Sequence, residues 1–536
     1  MTARPVFANR PPTLAAAAMV SSSHPAASLA GARVLADGGN AIDATLAMAS
    51  MTWLTLPGQC GIGGDAFVVV REPDGRVWTV NGSGFGPDGG DTDFYRAQGL
   101  SSIPLDGPLA VAVPGAPAAL AALHAAGATR SLTELWEPAA RAATEGLPCS
   151  ARTAGDVTLA LDAVRADMGL HSVYTDRGAP LHIGSRIPQP HLADSIRALA
   201  RDPRAFYTGE FAERAVTALR NGGAPFSGDE WAAGAAVVPV PALTGHYAGA
   251  VIHQTPLPSA GWMVLQQAAL CDSAVGFSGW LSAPAVDRMA RAARLSFVDR
   301  FALCGSDNDG ADYVLTPDRI AAQRRDLADR CEQRGPIEVR AGDTTSTVAV
   351  DADGRAVSFI HSLAFTFGAK FTVPGTGVVL NNRLGRGAYL IAGHPNEVAP
   401  RRKPLHTLNA WVVTDDNGVL LHVGNTPGGD GQVQWNMQLL SHLLDHGLDP
   451  AEAVAAPRFT VFPGSDADVL GADDELRVEE TLAAPVREAL VADGHTVIVS
   501  PPLAGGGSAQ VISRDERGVL SGAADPRQEG IALGVD

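Results

Sequence analysis

Between Asp343 and Ser362 the chain carries a stretch that reads as a β-hairpin, yet its first half is built from hydroxyls where a core strand is normally apolar. Thr345, Thr347 and Ala349 alternate with Ser346, Val348 and Val350, the period of two of a half-buried strand, and Asp353-Gly354 is a hairpin-turn dipeptide. The return strand runs from Ala356 to Leu363. Antiparallel pairing then sets Ser362 beside Thr344. Thr344 itself has two readings. It is a β-branched residue that suits a strand. It is also the residue that a cut between Asp343 and Thr344 would expose, with a free α-amine able to take the hydroxyl proton and make Thr344 a nucleophile. Such an amine has a reference pKa of about 7.7 to 8.0, so part of it is unprotonated at neutral pH. Spacing alone does not choose between the two.

At 536 residues, 46% hydrophobic and 18% charged, the chain has material for one large α/β body or for more than one domain. A formal charge of −17 excludes an electrostatic nucleic-acid footprint, and the densest cationic cluster, Arg401-Arg402-Lys403, is a patch and not an arm. Cys60, Cys149, Cys271, Cys304 and Cys331 form no Cys-x-x-Cys and have no His at ligand spacing, so they read as mostly buried free thiols and no metal is expected. The Ala-rich run Leu14 to Val20 is too short and too weakly apolar for a secretion signal, and nothing downstream approaches a membrane span. A cytoplasmic protein without membrane contact is the expectation.

Taken in order, the chain predicts helices over Ala27–Ala36 and, capped by Asn40, over the segment carrying Ile42, Leu46 and Met51. The Gly-rich loop Gln59 to Asp65 precedes a strand, Ala66 to Arg71, where a dinucleotide loop would follow one and open a helix. A turn at Asp74-Gly75 leads into a strand over Val77 to Val80. Further helices are predicted over Ala116–Ala125, Leu132–Ala143, His191–Ala200, Gly209–Leu219, Met263–Ala274 and Ala285–Phe301, and Arg319 to Arg340 reads as an exposed, mobile segment. After Thr344 strands dominate: Thr372–Leu380, Ala410–Asp415 and Val419–Val423. Asn425 to Gly431 then links a strand to a helix carrying Val433, Met437, Leu440 and Leu444. Gly428 and Gly429 in that loop are either a plain connection or an anion site made by backbone N–H groups and the helix N-terminus.

Several short motifs resemble the γ-glutamyltransferase (glutathione hydrolase) family of N-terminal-nucleophile hydrolases. They are Gly38 to Ala44, Gly61-Ile62-Gly63-Gly64, Thr344-Thr345, Pro374 to Gly377 with Leu380-Asn381-Asn382, Pro427-Gly428-Gly429, Ala456 to Phe459 and Asp525-Pro526-Arg527. They stand in the family's order along nearly the whole chain. Asn81 to Gly84, His394 to Asn396 and His406 to Leu408 are similar to the less typical branch that includes oxamate amidohydrolase. The resemblance implies an α/β (α+β) fold, a four-layer αββα sandwich, cut before Thr344 into a large subunit, 1–343, and a small one, 344–536, that stay together. A homo-oligomer of that heterodimer is left open.

On the resemblance Thr344 would be the nucleophile, Ser362 its hydroxyl partner, and Gly428 and Gly429 the oxyanion donors, with no cofactor required. Arg383, Arg386, His406, Thr407, Asn382 and Ser83 would form the substrate site. Here the chain departs from the pattern. An Arg that holds a γ-glutamyl carboxylate falls at Ser83, an Asp that holds its amine falls at Arg386, an Asn becomes Ala364, and a Ser-Ser pair becomes His406-Thr407. A cation cannot replace a carboxylate in binding an ammonium group. The expected substrate is therefore a small amide whose acyl group carries a carboxylate but no α-amine, oxamate- or glutaryl-like. A true γ-glutamyl hydrolase or transferase, and an unprocessed inactive homologue with a binding role, are the alternatives.

Overall fold

The computed structural model of the protein describes residues 7–8, 10–272, 278–327 and 343–536. Two seven-stranded antiparallel sheets form its centre. In the first, Asp343–Val350 and Ala356–Ala364 are the inner hairpin, flanked by Ala18–Ser22 and Ile531–Val535 on one side and by Asp65–Arg71, Val77–Gly82 and Pro239–Pro241 on the other. The second sheet runs Thr13–Ala15, Leu520–Ala524, Gln510–Arg514, Leu420–Asn425, Trp411–Thr414, Ala250–Gln254 and Leu243–Tyr247. Both sheets mix strands from before and after Thr344. The two stretches 1–343 and 344–536 are therefore interleaved parts of one body.

Side-chain parity explains the layers. Met19, Phe67, Val348, Ile360, Val412 and Ile512 point between the sheets and make the central core. Val68, Ala349, Val357 and Phe359 point the other way, into helices such as Ala41–Thr55 and Leu132–Glu145. Trp411, Val413 and Val511 meet Gly261–Cys271, Ala283–Leu303 and Gly431–Leu444 on the far side. The result is helix, sheet, sheet, helix, an αββα sandwich.

The period of two in Thr345 to Val350 does not mark a half-buried strand, since both faces are covered and Thr344 to Val350 are all buried. Its hydroxyls stand on both faces, Ser346 toward the second sheet and Thr345 toward the helices, and need partners there. Ser346 Oγ bonds Asn425 across the sheets, and Thr345 Oγ1 lies 3.2 Å from the Gln59 side-chain amide. The helices predicted before Thr344 form with ends shifted by a few residues, and Asn40 caps Ala41–Thr55 in a capping box with Asp43. Thr372 to Leu380 is not a strand: one bridge, Thr372 to Val379, closes a turn there, and another ties Leu380 to Gly63. Of the stretch read as mobile, Arg319 belongs to a helix, Pro317–Asp326, anchored by Ile320 and Gln323. The rest, from 328 to Arg340, lies outside the described residues, as does Cys331. The other four cysteines are buried and free. Among the described residues no helix is long and apolar enough to cross a membrane.

His361 is fully buried and His253 and His422 are half-buried, and loss of hydration disfavours the charged form of each. His361, 3.0 Å from Thr52 Oγ1, is held down to about 3 by burial, and burial holds His253 and His422 down to about 4. Unfolded, each takes up a proton near 6.5, so between that value and its folded value the unfolded chain binds more protons. Their contribution to stability is complete above about pH 6.5 and is lost as pH falls towards the folded values. The melting temperature should drop steadily from about pH 7 to about pH 4.5, by a stability loss of about 1.4 kcal/mol per histidine per pH unit, and less steeply in H361N. Equal slopes in both proteins would remove His361 from this account.

Candidate active site

The hairpin register pairs Asp343 with Ala364 and Thr345 with His361, with an irregularity between them that turns Thr344 toward Ser362. Thr344 Oγ1 donates to Ser362 Oγ at 3.2 Å. Ser362 Oγ in turn accepts the Ala364 amide at 2.8 Å, in a tight turn where Ala364 takes φ +88°. A non-glycine residue at that φ costs of order 1–3 kcal/mol, so the turn must be held from outside. Arg386 Nη1 holds it by donating to Ala364 O at 2.8 Å. Gly64 lies so close to Ser362 O, and Gly63 to Val379 O, that a Cβ on either would overlap backbone, which accounts for the glycine pair.

Thr344 forms part of the wall of a cavity of about 570 Å³ together with Gln59, Arg152, Arg386, Gly428, Gly429 and Asp466. Gly428 and Gly429 arrive there because Leu420–Asn425 crosses behind the hairpin: Asn425, joined to Ser346, also donates to Ser358 Oγ at 2.7 Å, and the loop turns toward Thr344 three residues later. Gly428 has φ +126° and its missing Cβ would overlap the Trp435 ring, so no other residue fits there. Gln59 presents its amide nitrogen to the Thr344 carbonyl at 3.1 Å and its oxygen to Arg152 Nε at 2.9 Å. The backbone of Thr344 is thereby held from the 1–343 side.

The residues expected to bind substrate do not gather in this cavity. Arg383 is buried in a 2.9 Å ion pair with Asp65, and Ser83 donates its amide and hydroxyl to Asn81 Oδ1. Asn382 accepts from Phe365 N and donates to Leu105 O, a backbone staple. His406 packs edge-on to Phe67, and Thr407 is buried beside it. Burial and the fields of Arg383, Lys403, Arg300 and Arg386 hold the His406 pKa well below its usual value, which keeps the ring neutral. Of the six, only Arg386 lines the cavity, and it does so paired with Asp466 at 2.7 Å. Asp466 also meets Arg300 at 3.2 Å. Burial works against its charge, yet Arg386 and Arg300 outweigh that and hold the Asp466 carboxyl below the usual range. Sequence reasoning missed Asp466, Gln59, Arg152 and Trp435. Only Gln59 carried a signal, its place at the head of the glycine loop.

A buried hydroxyl pair at the head of an inner strand, facing a glycine loop across a cavity in an αββα sandwich, defines an N-terminal-nucleophile amidohydrolase or acyltransferase. The family profile described as Gamma-glutamyltranspeptidase matches residues 27–535, and the chain belongs to that family. It is 33% identical to the glutathione hydrolase-like YwrD proenzyme of Bacillus subtilis, over 96% of this chain and 98% of that one. It is 29% identical to the oxamate amidohydrolase proenzyme of Klebsiella pneumoniae, over 96% and 98%. Cephalosporin acylase from Bacillus halodurans has the same fold, with a TM-score of 0.89 and 28% identity over 100% of this chain and 99% of that one.

Proposed function

We propose that the protein is an autoprocessed amidohydrolase whose nucleophile is Thr344, cut from Asp343 so that 1–343 and 344–536 become two subunits of one interleaved body. The observation that carries this is the Thr344 hydroxyl, 3.2 Å from Ser362 Oγ, on the wall of the cavity that Gly428 and Gly429 also line. Thr344 Oγ attacks the amide carbon while its proton passes to the freed α-amine. The oxyanion is stabilised by the N–H groups of Gly428 and Gly429. The C–N bond then breaks, the amine returns the proton to the leaving nitrogen, and water hydrolyses the acyl ester. Relatives named as proenzymes support the cleavage.

The acyl group of this reading ends in a carboxylate and lacks an α-amine. Four arginines, Arg152, Arg386, Arg458 and Arg477, line the cavity. Against them stand Asp156, Asp430 and Asp466, with Asp430 accepting the Asp466 amide at 3.4 Å. The arginines of the wall outnumber its acids, and a field of that sign favours an acyl group that ends in a carboxylate. A γ-glutamyl ammonium group would instead need an acid, and Asp466 is already bridged by two arginines.

Oxamate, glutaryl p-nitroanilide and γ-glutamyl p-nitroanilide, offered to purified, processed protein, test this. Oxamate or the glutaryl anilide should be turned over at least about tenfold faster, a difference of about 1.4 kcal/mol. Equal or faster turnover of the γ-glutamyl anilide would sink the substrate reading and leave the nucleophile reading standing.

A further inference from the structure

The segments Ala456 to Phe459 and Asp525 to Arg527 carry part of the family resemblance but none of the chemistry above. In the fold they meet in one buried lattice. Arg458 pairs with Asp525, Asp525 with Arg527 at 3.1 Å, and Arg527 Nε with Glu479 at 2.8 Å, all four side chains being at most 5% exposed. Glu479 closes the ring by accepting the Arg458 amide at 3.2 Å. Two arginines and two carboxylates balance, so the lattice is neutral and stiff.

The lattice ends on Trp435. The Arg458 guanidinium lies 5.0 Å from the centre of the Trp435 ring, and the indole N–H donates to Thr460 Oγ1 at 2.8 Å. Glycines of two turns also pack against the ring. A Cβ on Gly428 or Gly431 would overlap it, and one on Gly506 would come within 3.1 Å of it. Arg458 also donates to Gly506 O, and Glu479 accepts from Gly505 N at 2.8 Å. Glycine loops have many accessible conformations, whereas oxyanion donors are effective only when held in place before the reaction.

We propose that Trp435, fixed by Arg458, is the positioning residue that holds the Gly428–Gly429 loop in its donor geometry. The inference rests on the oxyanion role given to those glycines above. Trp435 is rigid, flat and anchored at its N–H and by the cation at its ring, and it backs the loop where side chains are lacking. It acts through the glycines and not on the proton transfer at Thr344.

The test compares W435F, W435L and R458M in the processed protein, each by hydrogen exchange of the 426–431 amides and by kinetics on the glutaryl and γ-glutamyl p-nitroanilides. W435L should lower kcat about 100-fold on whichever anilide the wild type hydrolyses, with KM within about twofold, and W435F less than about fivefold. R458M should fall between them. Exchange of the 426–431 amides should rise at least about tenfold in W435L and stay near wild type in W435F. Unchanged exchange in W435L, or a rise in KM with kcat intact, would overturn the positioning role. The exchange experiment needs no turnover. Its outcome is therefore separate from that of the nucleophile reading, which fails independently if wild-type protein neither splits nor hydrolyses either anilide.

Discussion

Replacing Thr344 by alanine is expected to leave the chain as a single band near 55.2 kDa, where the wild type gives two fragments, and to abolish amide hydrolysis. The loss should be on the order of 10⁴-fold or more, because removing a nucleophile leaves only binding and oxyanion stabilisation. Both effects have one physical source. The Thr344 hydroxyl is the buried group nearest the Asp343 carbonyl along the chain, and it later faces the cavity beside Ser362 Oγ. Thr344→Ser keeps the hydroxyl and should still split, although the β-methyl that restricts its rotamers is gone. Denaturing gels and mass spectrometry of the smaller fragment check both variants. Fragments of wild-type size from Thr344→Ala would place the cut, and the nucleophile, elsewhere.

The hairpin that carries Thr344 was legible because its features are local. A turn dipeptide, two short strands and a run of hydroxyls can be read without knowing what packs against them, and so can Asn40 as a helix cap. Burial of the strand was not legible. Alternation in Thr345 to Val350 suggests one wet face, but what covers it is distant in the chain: Asn425 of the second sheet lies 79 residues from Ser346, and Gln59, just beyond a covering helix, 286 residues from Thr345. Of the two cation positions only Arg386 lines the cavity, for a related reason. Arg383 and Arg386 were placed near the substrate by linear position, whereas their guanidiniums are claimed by Asp65 and Asp466, one of them 318 residues distant. An ion pair of that separation leaves no periodic trace. Trp435 drew no reading beside Val433 and Met437 on its helix, because what sets it apart is its contact with glycines outside that helix.

Gly428→Ala is expected to lower kcat by about 100- to 1000-fold with little change in KM, the loss produced when an oxyanion donor is removed in other enzymes. One methyl group acts twice here. The residue sits at φ +126°, a conformation that alanine adopts only with strain, and the new Cβ would occupy space filled by the Trp435 ring. Trp435 cannot retreat, because Arg458 and Thr460 hold it from the other side. The loop must therefore move, and its N–H groups move with it. Substrate in its ground state makes weaker demands on those donors than the tetrahedral intermediate does, so binding should survive while turnover falls. Measuring kcat and KM separately with the preferred anilide distinguishes this from a general loss of fold. The melting temperature should fall by no more than a few degrees, since the loop borders a cavity and supports little of the core. A rise in KM with kcat unchanged would mean that Gly428 contacts the substrate's acyl chain and not its oxyanion.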